Sequence, residues 1–145
     1  MPKALVLIGF ALFAVLGACA SRGGGATSPL ERTYWRVVEI GGQPAAGSGG
    51  PREPHLQFEA DGRRVVGSTG CNGLTGQFTH DGPTLRFGPT ATTRMACVDP
   101  SVNEQEQRFL AALRDTERHQ ILGDTLTLLG PGGTLARLVA ASRPE

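Results

Sequence analysis

The sequence lacks an excess of charge of either sign. It contains 14 basic and 13 acidic side chains, and its formal net charge is +1. Lys3 is the only lysine, so every other basic side chain is an arginine. A protein that binds nucleic acid needs a clustered positive excess to neutralise phosphates, and this sequence has none. We therefore expect no nucleic-acid partner and no purely electrostatic attachment to a membrane surface.

The sequence also lacks a hydrophobic run long enough to cross a membrane. Its apolar run, Ala4 to Leu16, is shorter than the roughly 20 residues of a spanning helix and is typical of a secretory signal peptide. The run closes with Leu16-Gly17-Ala18-Cys19, which resembles the bacterial lipobox. The resemblance implies removal of residues 1–18 and acylation of Cys19. The alternative is an ordinary signal peptide in which the cysteine is coincidental.

The residues that follow suggest a tethered domain. Residues 19–29 are small and almost uncharged, as in a flexible tether, and residues 30–140 are predicted to form one domain. Similarity to sorted lipoproteins of bacteria with two membranes implies that Ala20, which is not aspartate, directs the protein to the outer membrane. We expect a lipid-anchored envelope protein on the periplasmic face of that membrane.

Short apolar and β-branched runs separated by turn residues predict strands along most of this domain. Leu56 and Phe58 alternate with polar residues, and Asp61-Gly62 and Asp81-Gly82 are hairpin signals between such runs. A loop rich in glycine and proline is predicted from Gly41 to Pro54. The predicted strands are 33–40, 55–59, 63–68, 74–79, 84–87, 120–122, 125–129 and 134–139.

One segment, residues 99–114, has a helical period instead. A stripe recurs at offsets of three and four along it, formed by Val102, Glu106, Phe109, Leu110 and Leu113. Ser101 and Glu104 have the spacing of a capping box. About seven short strands and one helix predict an α+β fold, in which a strongly curved antiparallel sheet, or partial barrel, packs against the helix. Trp35 and Phe109 are expected in its core.

The chain is poor in cysteine, and beyond Cys19 it has only Cys71 and Cys97. An exported chain meets an oxidising compartment, so a disulfide is the preferred interpretation. It would close a loop of about 27 residues and contribute about 3.5 kcal/mol in the chain-entropy model. Two reduced buried thiols, or a metal-binding or catalytic thiol, are the alternatives. The three histidines match no metal-site pattern, so no metal and no cofactor are predicted.

Glycine recurs every third residue around Cys71, at positions 67, 70, 73 and 76. A phosphate-binding loop is not indicated, because the lysine and the hydroxyl residue of that motif are missing. The glycines are better explained by positive φ angles and close backbone approach where a strand bulges and turns.

Asn72 and Arg94 are the polar residues of interest near the two cysteines. Asn72 is interpreted first as a turn residue that satisfies nearby backbone groups. Arg94 is interpreted first as a solvated side chain, or as an ion-pair partner of Glu104 or Glu106. A contact with a ligand or partner is the alternative for both, since arginine suits carboxylate or phosphate recognition.

The segments GCNGLTGQF (70–78) and TTRMAC (92–97), followed by the helix and then by GDTLTLLGPGGTLARL (123–138), resemble the META domain of HslJ-like heat-shock lipoproteins. Tyr34-Trp35 is similar to the opening tryptophan pattern of that family. The resemblance covers residues 30–139. It implies a curved-sheet α+β fold, a link to heat response and antibiotic tolerance, and no established enzymatic activity. The glycine-rich Gly41 to Pro54 loop departs from the family pattern.

The expected function is therefore non-catalytic. We expect a monomeric envelope lipoprotein that supports stress or antibiotic tolerance by binding an envelope protein or a small ligand. One alternative is a lipid-anchored inhibitor of a host or envelope hydrolase, with Gly41 to Pro54 as its inhibitory loop. The other is a periplasmic enzyme that uses Arg94 and a nearby carboxylate, although the sequence contains no Gly-x-Ser-x-Gly motif.

Overall fold

The computed structural model describes residues 26–60 and 63–144. The predicted signal peptide, Cys19, most of the predicted tether and the Asp61-Gly62 turn lie outside the described residues. Within the described ranges, no helix is both long and apolar enough to cross a membrane.

The described residues form a curved antiparallel sheet with one helix packed against it, so the predicted α+β class is confirmed. One short strand that the sequence analysis missed, Gln43–Pro44, lies within the predicted Gly41 to Pro54 loop. In chain order the elements are β1 (Tyr34–Ile40), β2 (Gln43–Pro44), β3 (His55–Phe58), β4 (Arg64–Ser68), β5 (Gly73–Asp81), β6 (Thr84–Thr92), α1 (Pro100–Arg114), β7 (Arg118–Leu122), β8 (Thr125–Gly130) and β9 (Gly133–Ala141).

The sheet closes on itself. Its strand order is β2-β1-β3-β4-β5-β6-β7-β8-β9, and β1 also pairs with β9. This extra pairing turns the predicted partial barrel into a ring. The shortest strand pairing is between β6 and β7, where Thr84 and Arg118 are the one pair of opposed residues. Helix α1 follows β6 in the chain and packs against β6, β1, β8 and β9.

Apolar side chains from the strands and the helix fill the interior of this ring. Trp35 and Phe109 are fully buried, which confirms their prediction as core residues. The indole nitrogen Nε1 of Trp35 donates a hydrogen bond to the carbonyl oxygen of Leu30 at 2.8 Å, so its polar atom is satisfied. Strand residues that share this core include Val37, Ile40, Leu56, Phe58, Val65, Leu74, Phe78, Leu85, Leu126, Leu128 and Leu138.

Helix α1 begins with Asp99 as its cap. The Asp99 carboxylate accepts a hydrogen bond from the Ser101 backbone N–H at 2.9 Å, and Pro100 occupies the first turn. The predicted capping box of Ser101 and Glu104 is therefore wrong, because Ser101 already lies inside the helix. Val102 and Leu110 of the predicted stripe are only half-buried. The buried face consists of Gln105, Glu106, Phe109, Ala112 and Leu113.

Two glycines of the repeat confirm the predicted reasons for glycine. At Gly67 on β4, a Cβ atom would collide with the backbone carbonyl of His55 on β3, so only glycine permits this close pairing. Gly70, in the turn after β4, has φ of +102°, a conformation that other residues rarely adopt.

The N-terminal end of the described chain is attached to the turn between β7 and β8. The Ser28 backbone N–H donates to the Gly123 carbonyl at 3.1 Å, and Ser28 Oγ donates to Asp124 Oδ1 at 2.7 Å. Ser28 was assigned to the tether by the sequence analysis, but these bonds make it part of the folded structure.

Candidate functional site

A disulfide between Cys71 and Cys97 joins the turn after β4 to the segment between β6 and α1. Both residues are half-buried. Of the interpretations that the sequence left open, the structure has the disulfide. While the bond is intact, neither sulfur is available as a nucleophile or as a metal ligand.

Asn72 holds the same segment from inside the fold. It is 2% exposed, and its Oδ1 accepts hydrogen bonds from Thr93 Oγ1 at 2.9 Å and from the Met95 backbone N–H at 2.8 Å. Its Nδ2 donates to Glu106 Oε2 at 2.9 Å. Asn72 therefore links the start of β5 to the helix and to residues 93–95. Any effect of its side chain on a ligand would pass through these partners.

Helix α1 supplies two buried polar side chains to this region. Glu106 also accepts a hydrogen bond from Thr69 Oγ1 at 2.5 Å. Gln105, which the sequence analysis did not single out, accepts from the Ala46 backbone N–H at 2.6 Å and donates to the Ala46 carbonyl at 3.2 Å. Because buried polar groups are costly unless hydrogen-bonded, these bonds specify how the helix sits on the loop after β2 and the turn after β4.

Arg94 is exposed, in agreement with its interpretation as a solvated side chain. In the part of the chain that the structure describes, it forms no ion pair with Glu104 or Glu106. Of the two interpretations, the solvated side chain therefore holds, and Glu106 directs its carboxylate to Thr69 and Asn72 instead. A contact between Arg94 and a partner stays a prediction.

We expect Asn72→Ala to lower the free energy of unfolding by about 2–3 kcal/mol, because it leaves the Met95 N–H and part of the Glu106 carboxylate without partners. Asn103→Ala, on the exposed face of the helix, is the matched control and should change it by less than about 0.5 kcal/mol. Chemical denaturation measures both. Equal effects of the two changes would show that the Asn72 network contributes nothing specific.

A cleft of about 330 Å³ lies beside the disulfide. One wall comes from β1 and β3, a second from the loop before β3, and a third from the chain around the disulfide and from the C-terminal residues. The polar and ionisable side chains on these walls are those of Tyr34, Arg52, Glu53, His55, Ser68 and Arg143. The interior of the ring is filled, so this surface cleft is a place where the described chain can receive a ligand.

Glu53 is the most unusual residue of the cleft, because its carboxylate is charged in water yet only 3% of the residue is exposed. Its Oε2 accepts a hydrogen bond from the Gly49 backbone N–H at 2.7 Å and lies 3.9 Å from Arg36 Nε. Burial and a hydrogen bond to Glu53 raise the pKa of the Tyr34 phenol well above its ordinary value. The phenol therefore loses its proton less readily than that of an ordinary tyrosine.

His55 completes this cluster. Its ring stacks on Tyr34 with 4.5 Å between ring centroids. Its Nδ1 lies 3.0 Å from the Glu53 backbone carbonyl, a contact that requires a proton on Nδ1. Tyr34, Glu53 and His55 are thus held together by mutual contacts, which makes the cleft wall rigid.

No metal site is present in the described ranges, where no three histidine, cysteine, aspartate or glutamate side chains converge. The fold does bring together two histidines that look unrelated in sequence. His80 on β5 and His119 on β7 have ring centroids 5.0 Å apart. Burial and the neighbouring His80 lower the pKa of His119, so it is more readily neutral than a free histidine.

The sequence analysis missed the cleft residues Tyr34, Glu53 and His55. One signal was available, since Tyr34 and Arg36 alternate with the core residues Trp35 and Val37 and so belong to the other face of β1. Nothing in the sequence indicates, however, that the loop before β3 folds over that face and buries Glu53 there.

Known proteins share both the sequence pattern and the fold. The META domain pattern matches residues 28–142. The chain is 24% identical over 132 residues to heat shock protein HslJ of Escherichia coli (strain K12), and the match covers 90% of this chain and 91% of that protein.

Solved structures agree with the fold. An NMR structure of a protein from Burkholderia xenovorans has a TM-score of 0.64 at 21% identity and covers 99% of this chain and 100% of that one. A crystal structure of a DUF4847 family protein from Bacteroides vulgatus ATCC 8482 has a TM-score of 0.53 at 20% identity, covering 78% and 94%. Such low identities show the fold alone. The match over residues 28–142 spans most of the sequence, and this chain therefore belongs to the META domain family.

Proposed function

We propose that this chain is a non-catalytic lipoprotein of the bacterial cell envelope, which supports stress tolerance by binding a small ligand or an envelope protein at the cleft beside the disulfide. The observation that carries the proposal is the buried Glu53 carboxylate in the wall of an open cleft, on a domain whose interior is filled. A buried charge is costly to keep, and an apolar residue would pack there at lower cost.

Lipid anchoring is the other half of the proposal, and its support is the Leu16-Gly17-Ala18-Cys19 sequence. Ser28 is bonded to the turn between β7 and β8. Cys19 precedes Ser28 by nine positions, so the proposed lipid anchor is close in sequence to this attachment point.

An enzyme has less support than a binding protein. The groups of the cleft that could move a proton are already engaged. His55 Nδ1 donates to the Glu53 carbonyl, the Glu53 carboxylate is buried and accepts from Gly49, and the raised pKa of the Tyr34 phenol makes it a poor acid or base at neutral pH. Arg94, on which the enzyme alternative depended, is not among the described residues that line the cleft.

An inhibitor that presents the Gly41 to Pro54 loop also has less support. Gln105 binds this loop at Ala46, and Arg36 of β1 lies 3.9 Å from the loop residue Glu53. β2 pairs the loop with the end of β1. A loop held to its own domain at three places presents little free backbone to the active site of another protein.

Replacing Cys19 with serine should abolish acylation and release the protein from the membrane fraction, because the thiol is the only lipid acceptor in the proposed signal. Incorporation of a labelled fatty acid and membrane fractionation measure the two effects. Ser21→Ala, next to the proposed processing site, is the matched control and should be acylated normally. Label on the Cys19→Ser protein would contradict the assignment.

The cellular part of the proposal is tested by complementation in the parent bacterium. Deletion of the gene should lower survival under heat or antibiotic stress, and the wild-type chain should restore it. The Cys19→Ser chain should restore it poorly, because an unanchored domain is not retained at the envelope. A deletion strain that survives both stresses as well as the parent would refute the stress function.

A further inference from the structure

Among the described residues, the arginines that line the cleft have no acidic partners. Arg52 and Arg143 both line the cleft, and both are exposed. Within the described ranges neither forms an ion pair with a carboxylate. Arg143 Nη2 donates to Gln57 Oε1 at 2.7 Å, which is a neutral partner that leaves the positive charge uncompensated.

The negative charge of Glu53, the acidic residue that lines the cleft, is already balanced by its neighbours. Its carboxylate receives hydrogen bonds from the Gly49 N–H and the Tyr34 phenol, and the Arg36 guanidinium lies 3.9 Å away. Arg36 Nε is itself buried and has no hydrogen-bond acceptor among the described residues. Among the described residues of the cleft, the positive charges of Arg52 and Arg143 are therefore the ones left unbalanced.

We propose that this cleft binds a small organic anion, whose carboxylate or phosphate group is held by Arg52 and Arg143. The inference rests on the proposed function of the cleft as a binding site and names the chemistry of its ligand. A guanidinium group presents a planar set of N–H donors that matches the oxygens of either anion in a two-bond contact.

The other walls of the cleft predict the shape and polarity of the rest of the ligand. Met95, which is 56% exposed, and Pro51 offer apolar surface, and the half-buried ring of His55 offers a flat one. A volume of about 330 Å³ is at the small end of ligand pockets, so it suits a molecule of metabolite size and not a protein segment.

A cationic ligand is the competing possibility, because Glu53 lies in the cleft wall. Its carboxylate is a poor receptor for a cation, since it is 3% exposed and its hydrogen bonds to Gly49 and Tyr34 would have to be given up. A cation would also have to approach two exposed guanidinium groups. The two possibilities predict opposite preferences and can be separated by one series of probes.

The series uses four molecules with the same phenyl ring: benzoate, phenyl phosphate, benzyl alcohol and benzylamine. Each is titrated into the isotope-labelled, mature acylated protein in a neutral detergent, and amide NMR signals of the cleft are followed. Benzoate or phenyl phosphate should shift the signals of Gly70 and Met95, more weakly at high salt because the contact is electrostatic. Comparing these two distinguishes a carboxylate site from a phosphate site. Benzylamine binding as tightly as either anion would overturn the proposal.

Variants connect the binding to the two arginines. Arg52→Gln and Arg143→Gln should each weaken the better anion about tenfold, because each removes a charge-assisted hydrogen-bond donor. Arg143→Lys keeps the charge but not the planar donors and should lie between. Arg108→Gln, on the exposed face of α1, is the matched control and should bind like the wild type. Unchanged affinity in both glutamine variants, with unchanged melting temperatures, would refute the site.

The same variants separate the ligand class of the cleft from the cellular role of the protein. If the Arg52→Gln chain restores stress survival fully while anion binding is lost, the anion is not what the stress function uses. If the deletion strain has no defect but the anions bind through the two arginines, the ligand class stands and the cellular role is wrong.

Discussion

Phe109→Ala will lower the free energy of unfolding by about 3–5 kcal/mol, because it removes a large side chain from a closely packed core and leaves a cavity behind. Phe109 is fully buried and belongs to the same apolar cluster as Trp35 and Leu85 of the sheet. Small domains are stable by only about 5–15 kcal/mol, so the variant will lose a large share of its stability. Thermal and chemical denaturation of the two proteins measure the difference.

The matched control for this change is Leu122→Ala. Leu122 is 67% exposed at the end of β7, so its truncation removes little buried surface and should cost less than about 0.5 kcal/mol. If Phe109→Ala melts at nearly the same temperature as this control, then the helix does not pack on the sheet as described. The fold would then be wrong where the helix meets the ring.

Reduction of the disulfide should lower the free energy of unfolding by about 3.5 kcal/mol. The bond spans a sequence separation of 26, and its loss releases a loop of this size in the unfolded chain. Cys71→Ala, Cys97→Ala and the double variant should all cost nearly the same, because each removes the same bond. Denaturation with and without reductant measures the effect.

The hydrogen bonds of Asn72 provide a second test of what the disulfide does. Asn72 and the disulfide hold the same segment, residues 93–97, from two sides. The effects of Asn72→Ala and Cys97→Ala should therefore not add, since either change loosens what the other one holds. Two titratable thiols from Cys71 and Cys97, in protein purified from an oxidising compartment, would show that the bond does not form in the cell.

Local patterns in the sequence were sufficient for most of the elements. The alternation of Leu56 and Phe58 with polar neighbours predicts β3, because side chains in a strand point alternately to the two faces. The recurrence of Phe109 and Leu113 at helical spacing predicts α1 for the same kind of reason. Each such pattern depends on residues within a few positions of one another, so a single sequence contains it in full.

The predicted elements were wrong in two places, one where two local signals competed and one where a strand was too short to give a signal. Asp99 and Ser101 can both cap a helix, and the carboxylate two positions earlier is the one that accepts the hydrogen bond. β2 was missed because a two-residue strand is too short to show alternation. It forms because Gly41 and Gly42 reach positive φ angles, which allow the chain to turn back on β1.

The sequence by itself determined the number and kind of most elements, and it made a Cys71–Cys97 disulfide the preferred interpretation and showed a resemblance to the META domain. Tertiary structure alone decided that β1 pairs with β9 to close the ring, and that Glu53 is buried beside Tyr34. It also decided that Glu106 bonds to Thr69 and Asn72, which precede it by 37 and 34 positions. The physical reason is that these contacts join residues far apart in the chain. Their partners are chosen by how the whole chain packs, and no short stretch of sequence carries that information.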